Sequence, residues 1–80
     1  MPKAKLIGEY LKIGDKKFKI KKIEVHGIGI SIEADSEYII GFCDGYANFY
    51  SIKQEKEVDS VKIENFDEIY SKLFDLALSH

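Results

Sequence analysis

Residues 37–52 read Glu37-Tyr38-Ile39-Ile40-Gly41-Phe42-Cys43-Asp44-Gly45-Tyr46-Ala47-Asn48-Phe49-Tyr50-Ser51-Ile52, two apolar runs separated by one Asp-Gly dipeptide. Asp-Gly between such runs is the strongest short-range signal for a β-hairpin. Both central residues of a type I′ turn need a positive φ, which glycine adopts freely and aspartate tolerates. The first run, from Glu37 to Cys43, is apolar on both faces apart from Glu37 and reads as a central strand. In the second, Tyr46, Asn48 and Tyr50 share one face, and Ala47, Phe49 and Ser51 share the other.

Upstream of this hairpin the pattern stays strand-like. Ile28 to Ala34 alternates with its isoleucines inward and is followed by a turn at Asp35-Ser36. Lys17-Phe18-Lys19-Ile20-Lys21 alternates strictly, so Phe18 and Ile20 face a core while the lysines face water. The phase then slips by one residue before Ile23 and Val25, which predicts a β-bulge near Lys21-Lys22. His26-Gly27-Ile28-Gly29 is a strand connection whose glycines permit a bend or a positive φ. Leu6 to Ile13 reads as one strand ending at the turn Gly14-Asp15.

Downstream, Lys53 to Asp59 is mixed in charge and reads as an exposed loop, with Ser60 to Ile63 a short sixth strand. A helix follows. Asn65 suits an N-cap, and Glu68 three residues later completes a capping-box pattern. Phe66, Ile69, Tyr70, Leu73, Phe74 and Ala77 then fall on one apolar stripe. An isolated helix of about 14 residues is marginal in water, so this one must lie across the sheet.

The expected fold is therefore α+β: a curved antiparallel sheet of five to six strands in meander order, with one C-terminal amphipathic helix packed across it. Residues 1–80 form a single domain, with strands over about 5–63 and the helix over about 65–78. The predicted core is Ile20, Ile23, Ile28, Ile30, Ile32, Ile40, Phe42, Phe49, Val61, Phe66, Ile69, Leu73 and Phe74.

Composition narrows the function classes. A chain of 80 residues has a thin core, and small domains usually compensate with disulfides, a metal or association. The single cysteine, Cys43, excludes an internal disulfide and suits a reducing compartment. Neither a signal-peptide core nor a membrane-length apolar run is present, so a cytoplasmic protein without membrane attachment is expected. Cys43, His26 and His80 lack the close ligand pair of a zinc site. A Cys43–His26 catalytic dyad would need a lowered thiol pKa that no surrounding signature indicates. No reaction and no cofactor is read from the sequence.

Net charge is −2, but residues 1–26 carry eight lysines against three acids, whereas residues 27–80 carry four lysines against eleven acids. The basic part is the lysine-rich N-terminal hairpin. Lys17, Lys19 and Lys21 on one strand face would be spaced at about 6.6–6.8 Å, with Tyr10 on the adjacent strand as an aromatic platform. Those residues define a single-stranded nucleic-acid-binding reading; the alternative is a solvated edge hairpin, since lysine blocks edge-to-edge association.

The second candidate surface is aromatic and acidic. If Phe49 packs inward, Tyr46 and Tyr50 form an exposed strip beside the acidic segment Glu55, Glu57 and Asp59. This points to a small non-catalytic protein-binding module, an inhibitor, adaptor or accessory protein of the sort mobile elements encode. Opposite charge on the two halves also permits a salt-sensitive homodimer. The order of strands followed by a helix, with Val61 to Tyr70 at the junction, is similar in outline to single-strand-binding domains of transcriptional coactivators and of the Pur-alpha type. That resemblance implies nucleic-acid contact, although no motif carries over residue by residue and the acidic C-terminal half departs from such binders.

Overall fold

The computed structural model describes residues 1–79 and shows an antiparallel meander with one C-terminal helix packed across it. The strands are β1 (Ala4–Ile7), β2 (Tyr10–Ile13), β3 (Lys16–His26), β4 (Gly29–Ala34), β5 (Tyr38–Cys43), β6 (Tyr46–Ser51) and β7 (Lys56–Lys62), and the helix is α1 (Phe66–Ser79). Each strand pairs with its neighbours in chain order.

The sheet has seven strands where five or six were expected, and both corrections have local causes. The segment from Leu6 to Ile13 is not one strand. Gly8 takes a φ of 59° and, with Glu9, turns the chain so that Ile7 pairs with Tyr10; glycine at the first central position is what a type II′ turn requires. Lys53 to Asp59 is likewise not all loop. The turn is short, held by Glu55 N–H donating to the Ser51 carbonyl at 2.8 Å, and β7 already begins at Lys56. Alternating charges concealed this strand, because an edge strand can be polar on both faces.

Other expectations match. Asp44 and Gly45 have φ values of 50° and 89°, as a type I′ turn needs, and Cys43 pairs with Tyr46 across it. The register of β3 against β4 shifts between Ile20 and Lys22, which makes Lys21 the extra residue of a bulge. That slip returns Ile23 to the face carrying Ile32.

The face toward the helix carries one apolar cluster that includes Leu11, Ile30, Ile32, Ile40, Phe42, Ile69 and Leu73. Phe66 lies 6.2 Å from Phe42 and 5.5 Å from Tyr70, ring centre to ring centre. Farther along the same face Phe18, Tyr38 and Phe49 form a triangle with centroid separations of 5.6–6.1 Å. Two predicted core residues lie outside: Ile28 is 85% exposed and Phe74 39% exposed. Ile28 sits in the two-residue turn beyond the paired ends of β3 and β4, and on the helix the Ile69–Leu73 line is the buried one, leaving Phe74 at its margin. Ala4, Leu11, Ile13, Ala34, Ala47 and Ile63 complete the core.

The glycines of the β3–β4 connection need no positive φ. Gly29 is required for space instead, because a Cβ there would stand 2.4 Å from the Phe42 carbonyl oxygen.

The Asn65 side chain reaches across to β1. Its Oδ1 accepts from the Ala4 N–H, and its Nδ2 donates to the Ala4 carbonyl and to Glu68 Oε1, each at 2.8 Å. The side-chain amide thus imitates a paired peptide unit at the start of β1. With Glu64 N–H donating to the Pro2 carbonyl at 2.9 Å, it ties the chain after β7 back to β1. The expected capping box is therefore rewired: Glu68 bonds the Asn65 side chain.

Candidate interaction surface

Because α1 covers one face of the sheet, strand alternation decides which side chains the other face presents. The registers arrange that outer face over β3 to β7 in rows. One row runs Lys22, Glu33, Ile39, Tyr50, Glu57. The next runs Glu24, Ser31, Gly41, Asn48, Ser60. The third pairs Cys43 with Tyr46 and Tyr46 with Lys62. Two rows, each with a tyrosine beside Ile39 or Cys43 at its centre, thus flank a middle row of small and polar groups.

Gly41 makes the middle row a notch. Its missing side chain leaves room for a Cβ, the nearest atom being the Asn48 carbonyl oxygen at 4.0 Å. The groove there, about 320 Å³, is bordered by His26, Ile28, Gly29, Cys43 and Asn48. Asn48 is held in place: its Oδ1 accepts from Ser60 Oγ at 2.7 Å and its Nδ2 donates to the Gly41 carbonyl. Tyr46 and Tyr50 are 40% and 39% exposed, so each ring rests partly on its neighbours and keeps an open flank.

The acidic residues do not act together. Glu57 lies across from Tyr50 on this face, and Glu55 sits in the β6–β7 turn with a φ of 56°. Asp59 pairs with Phe49 and so belongs to the face that α1 packs on, where it borders a hollow with Phe18 and Val61.

His26 and Cys43 border the same groove, yet their chemistry is quiet. A ring nitrogen of His26, Nε2, is 2.8 Å from Ser31 Oγ. Burial pushes the Cys43 thiol above its ordinary pKa, and the neighbouring Asp44 carboxylate adds to the shift. A nucleophilic cysteine needs the opposite direction. Among the described residues no cluster of metal-binding side chains occurs, and His80 lies outside them.

The basic residues gather on β1 to β3. Lys5 stands across from Lys12, and Lys12 across from Lys17, while Ile7, Tyr10 and Lys19 form the adjoining row. The Lys17 and Lys19 ammonium groups lie 4.6 and 5.1 Å from the Tyr10 ring centre. Lys19 also pairs with Glu9 at 3.0 Å, and that hydrogen bond, followed by the Glu9 charge, raises its pKa. Lys21, at the bulge, is set apart from the pairing with β2.

The alternation of β5 and β6 about the Asp44-Gly45 turn could have identified Gly41, Ile39 and Asn48 from sequence, since a two-residue turn fixes the register. No helix among the described residues is long and apolar enough to cross a membrane. Compared with protein-family models, curated proteins and solved structures, the chain finds no match.

Proposed function

We propose that this chain is a non-catalytic protein-binding module whose contact surface is the outer face of β5 and β6. The observation that carries the reading is the cross-strand register: Ile39–Tyr50 and Cys43–Tyr46 stand on either side of the Gly41–Asn48 notch. Tyrosines supply large contact area at low entropic cost, and here each ring is already partly immobilised by its neighbours. An apolar anchor entering a notch with such residues in the flanking rows is the usual centre of a binding hot spot.

The partner chemistry follows from the rim. Glu33 and Glu57 flank the Ile39–Tyr50 pair, Lys22 ends the row beyond Glu33, and Glu55 lies nearby in sequence. The fitting partner is a protein that presents one apolar side chain flanked by lysine or arginine. Charge of this sort sets encounter rate and register more than affinity.

The test uses Gly41→Val, whose Cβ would meet no atom nearer than the Asn48 carbonyl oxygen at 4.0 Å and whose methyls project into the notch. Tagged wild-type protein should retain a stoichiometric protein from a nuclease-treated lysate of the source cells. Gly41→Val and Tyr46→Ala should lose it, while Lys72→Ala on the helix keeps it. A wild-type protein that emerges alone, or a partner indifferent to Gly41→Val, overturns the proposal.

A further inference from the structure

We infer that the outer face of β1 to β3 is a second contact surface, and that it takes single-stranded nucleic acid. Where β1, β2 and the part of β3 over residues 16–19 pair, the six side chains facing outward are Lys5, Ile7, Tyr10, Lys12, Lys17 and Lys19, and none is acidic. Lys5, Lys12 and Lys17 stand directly opposite one another across three strands. Like charges in such positions repel, and the sheet is less stable for them. None of the three ion pairs among the described residues, Lys19–Glu9, Lys22–Glu24 and Lys72–Glu68, includes Lys5, Lys12 or Lys17.

Edge protection does not explain the whole row. A lysine on an edge strand discourages pairing with another sheet, and Lys5 on β1 fits that role. Lys12 does not, because β2 is paired along both edges, and only Lys17, where β3 pairs with β2 alone, could share the edge role. Three cations in register, none in an ion pair among the described residues and Lys17 held only over the Tyr10 ring, call for a ligand with repeated negative charge.

The adjoining row selects the form of that ligand. Ile7 and Tyr10 pair with each other and are 49% and 37% exposed, an apolar platform that a base can share once the Lys17 and Lys19 ammonium groups over Tyr10 swing to phosphate. Duplex phosphates have no use for such a platform, whereas an unpaired base can stack on it. This surface is separate from the Gly41 notch, so the two readings stand or fall independently.

The test is fluorescence anisotropy of the full chain with labelled DNA and RNA oligonucleotides of mixed sequence. Three phosphate contacts on a single strand give a log–log salt slope of about −2, a loss of roughly 20-fold in affinity between 50 and 200 mM salt. Lys5→Gln/Lys12→Gln/Lys17→Gln should abolish binding without lowering the unfolding temperature, since it removes repulsion. Tyr10→Ala should weaken binding by about 5-fold or more, and Gly41→Val should leave it unchanged. Should the triple variant fail to fold, Lys12→Gln alone must flatten the slope by about 0.7. Equal affinity for duplex DNA or heparin overturns the single-strand assignment. So does a low-salt dimer, seen by light scattering, that the triple variant abolishes and the oligonucleotide does not compete.

Discussion

Replacing Asn65 tests the most unusual joint in the fold. In Asn65→Ala, the Ala4 N–H and carbonyl both lose their partners, and Ala4 is only 1% exposed. An unsatisfied buried backbone group costs about 1–3 kcal/mol. The seam around Asn65 is part-buried, so water relieves some of that penalty and the total comes to about 3 kcal/mol. In a domain of this size the corresponding fall in unfolding temperature is about 12–24 °C. An ordinary N-cap would cost only about 1 kcal/mol, and serine or aspartate would replace asparagine without loss. Here Asn65→Ser and Asn65→Asp should both be costly, because aspartate cannot donate to the Ala4 carbonyl and the shorter serine, with one proton, cannot span both Ala4 groups, and aspartate also places its charge beside Glu68. Urea unfolding followed by circular dichroism measures all three, with unchanged m-values confirming that native stability is being read. A loss near 1 kcal/mol for alanine, together with neutral serine and aspartate variants, would show that Asn65 is a cap and nothing more.

Gly29→Ala should lower stability by about 1–3 kcal/mol, since a Cβ there would stand 2.4 Å from a backbone oxygen that cannot rotate away; thermal unfolding reads the loss, and an unchanged midpoint would contradict the spacing. Glu68 has its carboxyl pKa lowered by the hydrogen bond from Asn65, then by Lys72. Its contribution is therefore present above the ordinary carboxylate pKa and is lost as pH falls through the depressed folded value. Glu68→Gln should remove that part of the acid-side decline in a series of unfolding curves, and superimposable pH profiles for the two proteins would refute it.

Much of the fold is written in local patterns. Asp44-Gly45 dictates a hairpin, the phase slip after Lys21 dictates a bulge, and the Phe66–Ile69–Leu73 stripe dictates a helix that must find a sheet. Each is a property of a few consecutive residues, so each is legible before any tertiary contact is known. The two-residue turn also sets which residues of β5 and β6 stand side by side, and with them the notch at Gly41.

Other features were settled only when distant segments met. Gly8-Glu9 is a weak turn signal on its own, and it becomes a hairpin because Leu6 and Leu11 can share the inner face. A strand as polar as β7 is recognisable only beside β6, which supplies its hydrogen bonds. Asn65 looked like a cap because cap and strand mimic need the same amide; proximity to Ala4, 61 residues away, decides between them. The sequence alone determined the periodicities, the charge division and one hairpin register, all of which follow from backbone geometry over short spans. Tertiary structure decided which apolar residues are buried, that Asp59 and Glu57 face opposite ways, and that three lysines share one row, because those depend on how strands far apart in the chain align.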